Sequence, residues 1–146
     1  MCLYKGPNKM QAASEDIVCY KIVEIIDGKT KSYYQQSRIE LDVPIKASNP
    51  RSISYMNSTG ELTDEVVHSY KEPKFSAEYI TTLMTMSLGY HNIRIMKGHK
   101  VSLAILECII PRGTLYCTNR PMHSRNLAEY GSVKLIPKKI ITEYKL

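Results

Sequence analysis

The apolar positions of this chain fall into short runs that change period once. In residues 16–26, DIVCYKIVEII, they alternate: Val18, Tyr20 and Ile22 fall on one face, and Ile17, Cys19, Lys21, Val23 and Ile25 on the other. This is the pattern of a strand covered on both sides. Asp27-Gly28 is a hairpin signal, so KTKSYYQQ reads as the return strand and SRIELDVPI as a further short strand ended by Pro44. Residues 46–60, rich in Ser, Asn, Pro and Gly, read as a loop. VVHSYK is a short strand broken by Glu72-Pro73.

From Lys74 the period lengthens. Phe75, Tyr79, Ile80, Leu83, Met84 and Ser87 recur at helical spacing and Gly89 supplies a stop, which predicts a helix over 74–88. After a polar connection carrying His91 and His99, residues 101–118, VSLAILECIIPRGTLYCT, read as a central hairpin turning at Pro111-Arg112-Gly113. A polar loop follows. The last strand, YGSVKLIPKKIITEYKL, is interrupted at Pro137, which marks an edge or a bulge. The expected fold class is α+β: a mainly antiparallel sheet of about six short strands with one principal helix packed on it, in a single domain over 1–146.

Composition adds two points. There are 11 Tyr, 1 Phe and no Trp, so the interior should carry phenol hydroxyls that need partners. The formal charge of +6 is confined: residues 97–146 hold nine Lys or Arg against three acids, so residues 1–96 sum to zero. A local positive field attracts phosphate, nucleotide, nucleic acid or an acidic protein face, although the same charge also serves solubility. Cys2, Cys19, Cys108 and Cys117 form no C-x-x-C and follow no secretory leader, so free thiols in a reducing cytoplasm are expected. No run approaches the roughly 18 apolar residues of a membrane span.

The residues disclose little ready chemistry. Cys108, Cys117 and His123 match no zinc spacing, and no metal is expected. His68 and Ser69 are adjacent on a strand and point to opposite faces, so they form no dyad; there is no nucleophile elbow, Walker A or G-x-G-x-x-G. Any phosphate site must then be built from side chains, and Arg suits it because its planar fork meets two oxygens at once. Arg112 at the turn with Arg120 and Arg125 in the next loop is the richest cluster, and His68, Tyr70 and Tyr116 could close it. Basic residues interleaved with Tyr116, Tyr130 and Tyr144 also leave nucleic acid open.

Two resemblances bear on this. MCLY, DIVCYKIV, HSYK, ECIIPRGTLY and YGSVKLIPKKII resemble a family of small uncharacterised proteins of Bacteroidetes and their phages. Members usually have Gly-Phe-His or Gly-Ile-His where this chain has Val66-Val67-His68. That resemblance implies a phage or mobile-element origin and a host-cytoplasmic location. More weakly, CYK, HSYK, IIPRG and SVKLIP fall in the order of motifs of the ADP-ribosyltransferase fold, with Lys21 in place of its arginine and Gly131 and Val133 in place of its glutamates. That likeness implies a scaffold holding a nucleotide without transferring from it.

The expected function is a non-enzymatic, phage-type accessory protein that captures a phosphate-bearing small molecule, such as a nucleotide signal of host defence, with no cofactor. The alternatives are a protein-interaction module that inhibits an acidic host protein, and an ADP-ribosyltransferase-like or nucleic-acid-binding protein. A homo-oligomer with a site between subunits stays open.

Overall fold

The computed structural model describes residues 11–32, 38–47, 66–73, 96–118 and 129–145. Among these residues the fold is nearly all antiparallel sheet, with no helix element. This corrects the α+β expectation. The segment 74–88, expected to be helical, lies outside the described residues.

The strands are β1 (Gln11–Ala12), β2 (Ile17–Ile26), β3 (Lys29–Ser32), β4 (Ile45–Lys46), β5 (Val67–Tyr70), β6 (Val101–Ile110), β7 (Leu115–Thr118), β8 (Glu129–Ser132) and β9 (Lys134–Lys145). Among the described residues they are nine rather than six, in the order β1-β7-β8-β5-β2-β6-β9-β4, with β3 on β2. Residues 38–44 are not a strand apart from a bridge between Arg38 and Lys31; the pairing there begins at Ile45, after Pro44 rather than before it.

Residues 101–118 are not a hairpin. β6 pairs with β2 and β9, β7 pairs with β1 and β8, and β6 and β7 do not pair with each other. The Pro111-Arg112-Gly113 segment is a corner at which one strand bends into a second wall. Opposite it, β8 and β9 bend at Val133, so 101–118 and 129–145 form one long antiparallel pair folded across its middle. Because β2 lines up on β6 and β5 joins β2 to β8, the path β8-β5-β2-β6-β9 returns on itself through Val133. The buried core cluster draws on residues of β2, β5, β6 and β9, with Tyr116 of β7 and Tyr130 of β8 packed against it.

The corner is tied from the N-terminal side. Gly113 N–H donates to the Ala13 carbonyl (2.8 Å), Ala13 N–H donates to the Thr114 carbonyl (2.9 Å), and Asp16 Oδ1 accepts from Arg112 N–H (2.8 Å). Gly113 has φ +85°, where an L side chain is disfavoured, and a Cβ there would meet nothing within 4 Å. Gly113→Ala should therefore cost about 1–2 kcal/mol from backbone conformation alone, read as a lower urea midpoint with an unchanged m-value.

Alternation along the strands sorts the side chains. The inner face carries Cys19, Val23 and Ile25 of β2, Ala104, Leu106, Cys108 and Ile110 of β6, Val67 of β5 and Leu135 of β9, all buried. The opposite face of the β2–β6 centre is covered as well: Ile22, Glu24, Leu103 and Ile105 are buried there. β9 carries irregularities opposite Ile105/Leu106 and Glu107/Cys108, the second beside Pro137, which is the position the sequence marked. Bulges and lysines blunt the outer edge of this strand against pairing with other chains.

Candidate functional site

Of the residues expected to form a phosphate site, His68, Tyr70, Arg112 and Tyr116 are described, and they do not share one face. His68 and Tyr70 lie half-buried on β5, on the face opposite to Val67 and Ser69. Tyr116 lies on the inner face, packed against the core. Arg112 is exposed at the corner. Arg120 and Arg125 lie outside the described residues. The sheet itself separates His68 and Tyr70 from Tyr116.

A different polar set does come together, and it is set by register. Tyr20 pairs with Tyr70, so Lys21 of β2 and Ser69 of β5 face each other on the inner side. Ser69 pairs with Tyr130, Tyr130 with Thr118, and Lys21 with Leu106. One row therefore crosses five strands: Leu106, Lys21, Ser69, Tyr130, Thr118. On one side of it lie Cys19 and Cys108, paired directly across β2 and β6, and Lys71 follows just past the end of β5. On the other side lie Val67, Ser132 and Tyr116.

Lys21 is the charge in this row. Its Nζ donates to the His68 carbonyl oxygen at 3.0 Å, and among the described residues no carboxylate pairs with it. Burial lowers its pKa from the ordinary lysine value; the neighbouring Cys108 and Cys19 oppose this to a smaller extent. An ammonium beside an apolar wall with no counter-ion is costly, so the position is informative.

Two hydroxyls add to it. Ser69 Oγ and Ser132 Oγ are buried and have no hydrogen-bond partner. The Ser69 hydroxyl lies near enough to the Cys19 thiol to favour its ionised form, but sulfur is a poor partner and leaves the hydroxyl unsatisfied. Buried hydroxyls lacking partners are rare, and each one is a place where a ligand atom or water would fit.

Tyr116 and Tyr130 form an edge-on pair with ring centroids 5.9 Å apart and planes at 74°, and Lys71 Nζ lies 5.3 Å from the Tyr130 ring centre. Tyr116 also accepts a hydrogen bond from Gln11 Nε2 at 3.1 Å. Burial pushes the Tyr130 phenol up, with smaller contributions from Tyr116 and Cys19, so it stays protonated and able to donate.

Cys19, Cys108 and Cys117 are free and buried. Burial pushes Cys19 and Cys117 each from 9.0 to about 11, and it raises Cys108 too. Groups whose folded pKa is raised bind protons more tightly in the folded state than in the unfolded one. Their stabilisation is complete below pH 9.0 and is lost as pH climbs towards about 11. The melting temperature should fall across that window, and Cys117→Ala should flatten part of the fall.

No group of three or more metal-ligating side chains occurs among the described residues. His99 is exposed and meets Asp27 at 2.7 Å, a surface pair that clamps the β2–β3 turn to the start of β6. No helix among the described residues is long and apolar enough to cross a membrane. No protein-family model, curated protein or solved structure matches this chain.

Sequence reasoning passed over Lys21 because it stands in an alternating strand. Its face-mates Ile17, Cys19, Val23 and Ile25 are the signal that marks it as an inward lysine.

Proposed function

We propose that the protein is a binding protein for a phosphate-bearing small molecule, held on the inner face of the sheet around Lys21. The observation that carries this reading is the Lys21 ammonium on that face with no carboxylate partner among the described residues, in one row with the unsatisfied Ser69 hydroxyl. A lysine supplies a point charge for phosphate, and Ser69, Ser132 and Tyr130 supply hydroxyl donors. The Tyr116–Tyr130 pair offers an aromatic wall for the rest of the ligand, and Lys71 adds a second charge. The positive field of residues 97–146 favours the approach of anions.

A thermal-shift series with nucleotides, cyclic dinucleotides, sugar phosphates and inorganic phosphate tests the reading. A ligand at a hundred times its Kd stabilises by about 2.7 kcal/mol, so a true ligand raises the melting temperature in a concentration-dependent way. If millimolar concentrations of every phosphate compound leave it unmoved, the reading fails.

A further inference from the structure

We infer that Lys21 is a carbonyl-capture site, whose amine condenses reversibly with an aldehyde borne by a phosphate-carrying ligand. The phosphate part of that ligand rests on the reading proposed above; the imine does not.

The argument starts from placement. The Lys21 amine is held at 3.0 Å by a neutral acceptor, the His68 carbonyl, rather than by a carboxylate. A carboxylate would fix the amine as ammonium; a carbonyl oxygen accepts from amine and ammonium alike. Lys21 is half-buried as a residue, and its amine lies at the deeply desolvated end of the side chain. Among the described residues, the groups facing it are Cys19 on its own strand, Cys108 on β6, Ser69 on β5, Lys71 just after β5 and Tyr130 on β8. None of these is a carboxylate, and burial holds Cys19 and Cys108 as thiols at neutral pH. The lowered pKa of Lys21 agrees with this placement, since it raises the fraction of neutral amine.

The step balances without an oxidant or reductant. The amine lone pair attacks the carbonyl carbon, a C–N bond forms and the carbonyl oxygen takes a proton. The resulting hydroxyl leaves as water as the nitrogen releases its remaining proton, giving a C=N bond. Amine plus aldehyde becomes imine plus one water. The protonated Tyr130 phenol, one strand beyond Ser69 in the same row, is the group placed to supply the proton to the departing hydroxyl.

The test uses two probes with the same aldehyde, pyridoxal 5′-phosphate and pyridoxal, on the full chain at pH 7. Borohydride reduces any imine to a stable secondary amine, and peptide mass mapping locates it. Lys21 should label several-fold faster than the exposed Lys29 and Lys145, and faster with the phosphate form than without it. Lys21→Arg, checked for folding by its melt, should remove the fast site and leave the slow ones. Equal labelling of Lys21 by both probes supports the imine and counts against the phosphate reading. Label spread over exposed lysines, with Lys21 no faster than they are, overturns the inference; the phosphate reading then stands or falls on the thermal-shift series.

Discussion

Replacing Leu106 with alanine is expected to lower stability by about 2–5 kcal/mol, a fall in melting temperature on the order of 10 °C. Leu106 is fully buried on the inner face, directly across from Lys21, at the point where the β2–β6 wall meets the rest of the core. Truncation there removes packing against both flanking strands, β2 and β9, and leaves a cavity. Val18→Ala is the control. Val18 is 48% exposed on β2, on the face opposite to Cys19, and should change stability by no more than about 0.5 kcal/mol. Equal losses from the two substitutions in urea unfolding would mean that the inner and outer faces have been assigned wrongly.

Lys21→Met should do two opposite things: abolish binding of a phosphate ligand and make the empty protein more stable at pH 7. Methionine keeps most of the length of the stem and carries no charge. It gives up the hydrogen bond to the His68 carbonyl, worth about 1 kcal/mol, and removes the desolvation penalty of an ammonium that has no carboxylate partner among the described residues. The second effect is the larger.

The pH dependence separates this effect from ordinary packing. Because the folded pKa of Lys21 is lowered, the unfolded chain holds this proton more tightly than the folded one does. The wild type therefore regains stability as pH rises from the folded lysine value to the ordinary 10.5, against the loss caused by the cysteines. The gap in melting temperature between variant and wild type should close over that range. A gap that stays constant with pH would mean that the lysine is solvated.

The sequence disclosed the strands better than their connections. Ile17–Ile26, the Asp27-Gly28 turn and the bulge at Pro137 were legible because alternation, turn chemistry and a missing N–H are local signals. The corner at Pro111-Arg112-Gly113 was not, since the same residues serve a hairpin reversal and a strand bend. The choice between them depends on what Leu115–Thr118 pairs with, and its partners are β1 and β8, far away in sequence. The fold class failed for a related reason. Helical spacing in 74–88 is a local signal too, and the fold class among the described residues depends instead on long-range strand pairing such as β5 with β8.

Lys21 does not stand out from the sequence as a candidate site residue. Confined positive charge pointed to phosphate and drew the choice to arginines on turns, where Arg112 is exposed. Lys21 carries the same charge on the inner side of the sheet, and Ser69 and Ser132 stand out only once their hydroxyls are seen to lack partners.

Amide chemical-shift mapping with the most stabilising phosphate compound tests the central claim most directly. The expected shifts concentrate on Lys21, Ser69, Lys71, Tyr116, Tyr130 and Ser132, in wild type and not in Lys21→Met. Shifts confined to the Arg112 corner, or scattered over exposed lysines such as Lys138 and Lys145, would contradict it.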